Sequence, residues 1–357
     1  MTTNDIAAFD FDLPESLIAL RPAQPRDAAR LLHIRNDKDT FGDNHIRDLL
    51  QFLKAGDALV VNVTKVIPAR LNGVRHRQNS QGGEAASGAK VEITLTERLE
   101  DTRWQCFLKP ARRVGVGDKI IFDDIEAQVI SRDGRSAELL FDVKHHEMEA
   151  VLARLGAAPL PPYIAARRAP DAQDKHDYQT IYAKIDGAIA APTAGLHFTP
   201  ELLSQLQAAG VEVYEVVLHI GAGTFLPIEV ADISTHKMHG EWGQITAEVA
   251  TALNEVRGRG SRLVCVGTTA LRLLETAANP DGTINPYEGV TDIFITPGCP
   301  IRAVDMLLTN FHLPRSTLFM LVCAFSGYDK MCAAYAHAID NAYRFYSYGD
   351  ACLLERA

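Results

Sequence analysis

Five short segments of this chain combine small or hydroxyl residues with imidazole, amide or carboxylate side chains. Runs of Gly, Thr and Ala at such turns expose backbone N–H groups, which bind polar or anionic ligands. Imidazole can also accept or donate a proton near neutral pH. These segments therefore predict a polar substrate site, and they occupy residues 191–198, 219–225, 236–242, 267–269 and 309–317.

Two kinds of chemistry fit the histidines. His236 and His239, together with Glu241, could bind a metal ion, and His219 or His197 could complete the ligand set. However, their spacing matches no strong metal signature such as H-E-x-x-H. The alternative is that one or two of these imidazoles act as a general base or as substrate donors. The chain contains no G-x-S-x-G elbow, so acyl transfer has no support.

Alternating strand-like and helix-like segments must position these turns. A helix is predicted from Thr199, its N-cap, to Gly210, its C-cap, and is followed by a strand over 211–220. A second strand over 263–266 precedes a helix capped by Thr268 and Thr269. A further strand is predicted over 290–296, and an apolar helix runs from residue 316 to residue 327. This alternation favours an α/β fold with a mostly parallel sheet, in which ligands bind at the carboxyl ends of the strands.

The segment 90–143 has a different pattern. Apolar and polar residues alternate, the Asp133-Gly134 pair predicts a hairpin, and we predict five short strands without a helical period. A Gly/Ser-rich stretch over 78–88 predicts a flexible entry loop. We therefore predict a small all-β, barrel-like domain over 70–150, inserted into an α/β catalytic domain formed by 1–69 and 151–357.

Charge and cysteine content limit the possible functions. The net charge of −9 argues against a dedicated nucleic-acid binder. Residues 70–119, however, hold ten Lys/Arg against six Asp/Glu, which fits either a limited contact with a phosphate backbone or an ordinary solvated surface.

Six cysteines without C-x-x-C spacing predict unpaired, mostly buried thiols. The absence of a membrane-length apolar run and of a signal-like amino terminus predicts a cytoplasmic protein without a membrane partner.

Taken in order, the polar segments and several others resemble the S-adenosylmethionine:tRNA ribosyltransferase-isomerase family of queuosine biosynthesis. The resemblance extends over nearly the whole chain. The chain departs from the family pattern at Ala270, Cys299, Cys323, Gly240 and Gly243. These differences concern the details of substrate contacts more than the activity itself. The matching segments are 9–14, 62–71, 159–164, 178–183, 191–198, 219–225, 236–242, 266–269 and 309–317.

This resemblance implies a specific reaction. The ribosyl part of S-adenosylmethionine is transferred to 7-aminomethyl-7-deazaguanine in a tRNA anticodon loop, which gives epoxyqueuosine-tRNA and releases adenine and methionine. S-Adenosylmethionine is then a co-substrate, with no prosthetic group and no metal, and the family analogy suggests a monomer. Three alternatives stay open: a metal-dependent hydrolase using His236, His239 and Glu241, a tRNA-binding module without catalysis, and a methyltransferase.

The resemblance also implies roles for residues. The candidates for the general base are His197, His219, His236, His239 and His312. Substrate binding is expected from Thr193, Gly195, Gly221, Gly223, Thr224, Glu241, Thr268, Thr269, Asn310, Ser316 and Thr317. Phosphate contacts with tRNA are expected from Arg70, Lys109, Arg112 and Arg113, with Arg167 and Arg168 as additional candidates, and Phe225, Trp242 or Phe311 could stack on the modified base.

Overall fold

The computed structural model of the protein describes residues 4–38, 40–76, 88–221, 223 and 230–357. The chain forms two compact units. One comprises Met1–Lys65, Asp177–Ile185 and Ala191–Ala357, and the other comprises Val66–His176 and Asp186–Ala190. The predicted Gly/Ser-rich loop falls on residues 78–88, of which only Gly88 lies within the described residues.

The strands and helices are numbered in chain order. The strands are β1 Arg30–Ile34, β2 Phe41–His45, β3 Ala58–Asn62, β4 Thr64–Val66, β5 Arg70–His76, β6 Ala89–Arg98, β7 Arg103–Lys109, β8 Lys119–Phe122, β9 Ile125–Asp133, β10 Ser136–Phe141, β11 Ile185–Ala188, β12 Glu212–Leu218, β13 Glu241–Ile245, β14 Leu263–Val266, β15 Tyr287–Thr291, β16 Met306–Asn310 and β17 Ala351–Glu355. The α-helices are α1 Met148–Leu155, α2 Pro162–Ala165, α3 Asp174–Asp177, α4 Pro200–Ala208, α5 Ala247–Gly258, α6 Thr268–Ala277, α7 Thr317–Ser326 and α8 Tyr328–Asp340.

Short 3-10 helices connect these elements. They span Ile6–Phe9, Glu15–Leu17, Arg26–Ala28, Ile46–Gln51, Ala111–Arg113, His145–Glu147, Thr193–His197 and Ile233–Thr235. No helix in the described part of the chain is long and apolar enough to cross a membrane.

The first unit contains a mixed sheet. Among the described residues it has nine strands in the order β15-β13-β12-β3-β14-β16-β17-β1-β2. Strands β12, β3, β14 and β16 run parallel to one another. Strand β13 runs antiparallel to β12 and to the edge strand β15, the other edge strand β2 runs antiparallel to β1, and β17 runs antiparallel to β16. The predicted α/β class is therefore confirmed, with the parallel arrangement concentrated in the middle of the sheet.

Two hydrophobic cores cover the two faces of this sheet. Strand β3 is buried throughout, and alternate side chains of a strand point to opposite faces. Ala58 and Val60 belong to the core that includes residues of α5 to α8. Leu59 and Val61 belong to the second core, which includes Leu202 and Leu206 of α4. Burial on both faces explains why β3 and β14 read as continuous apolar runs rather than alternating ones.

The second unit contains a closed antiparallel barrel. Its strands follow the order β10-β7-β6-β5-β8-β9, and five of them are the predicted strands. The sixth, β5, lacks a clear alternation because Gly73 occupies an inward position, where a Cβ would lie 2.6 Å from Ile120 Cγ2. The barrel-like prediction is therefore confirmed.

Residues beyond the predicted insert also group with the barrel. Arg70 N donates to Ala157 O at 3.2 Å, and Ala157 N donates to Arg70 O at 2.8 Å. These two bonds join Ala157 to β5 within the second unit, which continues past residue 150 to His176. The catalytic role assigned to the first unit remains a prediction.

Most local predictions around the polar turns match the structure. Thr199 caps α4, Ser316 caps α7, and Gly210 and Gly327 follow helices with positive φ. Two predictions are wrong. The helix α6 begins after Gly267 without a side-chain cap, so Thr268 and Thr269 do not cap it. The strand predicted over 290–296 is β15, which ends at Thr291, because its partner β13 begins opposite, at Glu241.

The cysteines are free thiols, as predicted. Cys106, Cys265, Cys323 and Cys352 are buried, and the remaining two are partly buried. Burial raises the pKa of the Cys106 thiol to about 12, so this thiol is protonated at neutral pH.

Candidate functional site

The polar turns meet where the parallel strands of the first unit end. Strands β3, β12, β14 and β16 finish at Asn62, Leu218, Val266 and Asn310. Because these strands are parallel neighbours, their carboxyl ends share one edge of the sheet. Strand β13 runs antiparallel to β12, so its first residue, Glu241, lies at the same edge. This edge is the candidate site.

A buried asparagine ties two of these strand ends together. The Nδ2 of Asn62 donates to Leu218 O at 2.9 Å, and its Oδ1 accepts from Leu218 N at 3.0 Å and from Thr64 N at 3.2 Å. Asn62 Nδ2 also lies 3.4 Å from Thr269 Oγ1. Asn62 is fully buried, so these bonds form without competition from water and fix the backbone on which the next residues are built.

His219 follows directly on this network. Its Nδ1 lies 2.8 Å from Thr64 Oγ1, and its ring stacks on Trp242 with centroids 5.3 Å apart and planes 22° apart. The backbone N–H of His219 donates to Trp242 O at 2.9 Å. The imidazole is half-buried and is held on one edge and one face. The side chains of Thr64 and Trp242 therefore orient this imidazole at the strand edge.

The glycine turn after His219 is held by a carboxylate. Glu241 Oε1 accepts the N–H of Gly221 at 3.1 Å, and Glu241 Oε2 accepts from Arg272 Nη1. Gly223 lies against His239, because a Cβ on Gly223 would be 2.6 Å from the imidazole ring. Glu241 thus contacts the turn itself rather than facing an open pocket. Thr224 and Phe225 lie outside the described residues.

A second part of the edge is built around Asn310. Thr193 Oγ1 donates to Asn310 Oδ1 at 2.8 Å, and Asn310 Nδ2 donates to Tyr346 O at 3.1 Å. Thr193 begins the 3-10 helix Thr193–His197 and is half-buried. Thr268, the first residue of α6, is buried, and the partly buried Thr269 follows it. Hydroxyl and amide groups are therefore present at the ends of β14 and β16.

Two of the predicted bases have their ring nitrogens engaged within the protein. His197 Nδ1 lies 3.0 Å from Ala194 O and its Nε2 lies 2.9 Å from Gly349 O, while burial lowers the pKa of His197. His312 Nε2 lies 3.0 Å from Thr309 Oγ1, and burial lowers the pKa of His312 to about 3. His197 therefore joins two backbone segments through its ring nitrogens. A base with a pKa near 3, such as His312, is poorly matched to neutral pH.

His236 and His239 lie before strand β13. His239 is exposed, and His236 is half-buried with its ring edge-on to Phe294 at 5.3 Å. Burial, and then the neighbouring His239, lowers the pKa of His236. Among the described residues, no group of three His, Cys, Asp or Glu side chains is arranged to hold a metal ion. The metal-hydrolase hypothesis therefore gains no support from the described geometry.

Several predicted binding residues have structural contacts within the protein. A Cβ on Gly195 would lie 2.1 Å from Tyr182 OH, so this glycine is required by packing. Ser316 Oγ accepts from Phe319 N at 3.1 Å as the N-cap of α7, and Thr317 follows as its first residue. Phe311 is fully buried in the core and is therefore excluded as a stacking platform in this structure. Trp242 is half-buried against His219.

The basic candidates belong to the second unit and differ in their availability. Arg70 pairs with Glu92, and Arg168 pairs with Asp174 at 2.5 Å. Lys109, Arg112, Arg113 and Arg167 are exposed, and Arg112 and Arg113 share the 3-10 helix Ala111–Arg113. Exposure therefore makes Lys109, Arg112 and Arg113 better candidates for phosphate contacts than Arg70.

Three residues of this edge were not predicted as site residues from the sequence. Asn62 ends an all-buried strand, Thr64 contacts His219, and Arg272 lies on α6 with 5 % of its surface exposed. One signal was available, because a polar Asn directly after a continuous apolar run marks the carboxyl end of a buried strand. An arginine among the apolar residues of a helix is a second such signal, because buried charges require partners.

Comparisons with known proteins agree with the resemblance noted from the sequence. The chain matches the family model described as "Queuosine biosynthesis protein" over residues 6–354. It is 55% identical over 363 residues to the S-adenosylmethionine:tRNA ribosyltransferase-isomerase of Phenylobacterium zucineum (strain HLK1), covering 99% of both chains. It is 54% identical over 359 residues to the protein of that name from Beijerinckia indica, covering 98% of this chain and 96% of the relative.

A solved structure gives the same result. The chain is similar to the crystal structure of S-adenosylmethionine tRNA ribosyltransferase from Thermotoga maritima, with a TM-score of 0.54 and 36% sequence identity. The match covers 97% of this chain and 99% of that chain.

Proposed function

Because this chain belongs to the S-adenosylmethionine:tRNA ribosyltransferase-isomerase family of queuosine biosynthesis, we propose that it modifies tRNA with S-adenosylmethionine as co-substrate. The ribosyl group moves to 7-aminomethyl-7-deazaguanine in the anticodon loop, and adenine and methionine leave. The observation that carries this proposal is 55% identity to such an enzyme over 99% of both chains. Cytoplasmic location and a monomeric state complete the proposal.

The reaction needs a base beside the sulfonium centre. A sulfonium acidifies the C–H bonds of the adjacent ribose C5′, so a correctly placed imidazole can remove that proton. His219 fits this role best, because Thr64 and Trp242 fix its ring at the carboxyl edge of the parallel strands. His197 contacts backbone carbonyls through both nitrogens, and the pKa of His312 is too low.

The contact with Thr64 defines the tautomer that this role requires. For Nε2 to accept a proton, Nδ1 must carry the ring hydrogen and donate it to Thr64 Oγ1 at 2.8 Å. The resulting imidazolium keeps the same hydrogen bond, so proton transfer requires no movement of the ring. Thr64 is therefore proposed as a positioning residue for His219.

The other polar groups of the edge are proposed to hold the substrates. Thr193, Asn310, Thr268 and Thr269 supply hydroxyl and amide groups for ribose hydroxyls, for adenine or for the amino-acid end of S-adenosylmethionine. The sulfonium already makes methionine a good leaving group, and the proposal includes no metal. Holding two substrates in register can contribute up to about 7–11 kcal/mol in favourable systems.

One experiment tests the reaction directly. The protein is mixed with S-adenosylmethionine and tRNA that carries 7-aminomethyl-7-deazaguanine, with and without EDTA, and released adenine and methionine are measured. We expect equal amounts of both, only with the modified tRNA, and no effect of EDTA. Release of S-adenosylhomocysteine would indicate a methyltransferase, loss of activity with EDTA a metal enzyme, and tRNA binding without any product a binding module.

Exposed basic residues of the barrel unit are proposed to bind the tRNA backbone. Replacing Arg112 and Arg113 together with Ala weakens tRNA binding and makes the slope of log K against log salt shallower by roughly 1.5, because each lost phosphate contact removes about 0.7–0.9 from the slope. Binding is measured by fluorescence anisotropy at salt concentrations between about 50 and 200 mM, the range over which phosphate contacts change affinity strongly. Arg168→Ala is the matched control, because Arg168 pairs with Asp174. An unchanged slope in the double variant would remove Arg112 and Arg113 from the interface.

A further inference from the structure

Glu241 and Arg272 form a buried ion pair beside the turn that follows His219. Their side chains are 5% and 6% exposed, and Arg272 Nη1 donates to Glu241 Oε2. Arg272 lies on α6, four residues after Thr268, and Glu241 is the first residue of β13. The pair therefore connects the helix behind the site to the strand edge that forms it.

The arginine is incompletely satisfied. Its Nε and Nη2 are buried and have no hydrogen-bond partner among the described residues. Unpaired buried donors lower stability, and apolar residues of similar volume often replace a buried ion pair at no cost. Stability alone is therefore a poor explanation for an arginine here.

The contacts of Glu241 suggest a different role. Its Oε1 accepts the N–H of Gly221 at 3.1 Å. The next residue, Trp242, accepts the N–H of His219 through its carbonyl at 2.9 Å and stacks on the imidazole. One dipeptide thus holds both ends of the turn from His219 to Gly221, and Arg272 fixes the carboxylate of that dipeptide.

We infer that Arg272 is a positioning residue that acts through Glu241 to orient the imidazole of His219. Arg272 touches neither substrate nor reacting atoms in this assignment. Its guanidinium fixes the Glu241 carboxylate, and this carboxylate accepts the N–H of Gly221. The next residue, Trp242, stacks on the imidazole of His219 and so sets the plane of that ring. The inference deepens the proposed function, because it rests on His219 acting as the base.

Two double variants separate positioning from stability. Glu241→Leu with Arg272→Met removes both charges and the acceptor for Gly221, whereas Glu241→Gln with Arg272→Met removes both charges but keeps an amide oxygen for Gly221. We expect the first variant to keep a melting temperature close to that of the parent, to lose about 10- to 100-fold in kcat, and to change KM for S-adenosylmethionine little. The second variant should recover little of the lost kcat, because its amide oxygen is no longer fixed by the Arg272 guanidinium.

Three outcomes would overturn the inference: unchanged kcat in the Glu241→Leu/Arg272→Met variant, recovery of most of the kcat in the Glu241→Gln/Arg272→Met variant, or loss of the fold in the first. The last outcome would identify the pair as a stability element.

A readout independent of the reaction distinguishes this inference from the proposed function. The chain has two tryptophans, so a Trp104→Phe background leaves Trp242 as the only indole. A stacked imidazole quenches indole fluorescence more strongly when it is protonated. We expect a pH-dependent quench in this background and its loss after Glu241→Leu/Arg272→Met. Persistence of the quench in that variant would overturn the inference, even if the parent protein released no adenine.

Discussion

Replacing His219 with Gln lowers kcat for adenine release about 100- to 10,000-fold, because a positioned general base contributes that factor. The loss corresponds to roughly 3–5 kcal/mol of transition-state stabilisation. Glutamine retains a polar side chain near Thr64 but cannot accept the ribose proton at neutral pH. The KM for S-adenosylmethionine should change little, since His219 is proposed to act on the reacting C–H bond rather than to bind the co-substrate.

Single-turnover release of adenine, measured at saturating S-adenosylmethionine and modified tRNA, checks this result. His146→Gln is the control, because His146 is an exposed imidazole that is not among the candidate site residues. Thr64→Val should give a smaller loss of kcat, since the imidazole remains but its Nδ1 partner is removed. A His219→Gln variant with more than a tenth of the parent kcat would exclude His219 as the base.

Replacing Asn62 with Ala destabilises the first unit by about 3 kcal/mol, because buried polar groups of Leu218 and Thr64 lose their partners. Each unsatisfied buried group costs about 1–3 kcal/mol, and the contributions do not add fully. For a unit of this size the melting temperature should fall by roughly 6–12 °C. The kcat should also fall, because Leu218 directly precedes His219.

Thermal unfolding followed by circular dichroism, together with adenine release well below the melting temperature, checks this second result. Asn72→Ala is a suitable control, since Asn72 is an exposed residue within β5 and should change stability by less than about 0.5 kcal/mol. An Asn62→Ala variant as stable as the parent would show that water replaces the lost partners at the strand ends.

The sequence alone determined the class of fold and the family. Period-2 patterns identified five of the six barrel strands, and helix caps such as Thr199 and Ser316 were correctly placed because capping depends on neighbouring residues. The order of short motifs along the chain identified the family, because each motif is a run of neighbouring residues that can be recognised without the tertiary structure. The missed strand, β5, shows the limit of such patterns, since Gly73 carries no side chain to mark the inward face.

Only the tertiary structure decided what the individual polar residues contact. His197, His219 and His312 all occur in similar polar segments, yet their ring nitrogens meet backbone carbonyls, Thr64 and Thr309, respectively. Those partners come from segments distant in sequence or from a particular turn geometry, which no local pattern encodes. The same holds for Arg272, because its pairing with Glu241 depends on how α6 packs against β13, and burial and long-range contacts arise only when the chain is folded.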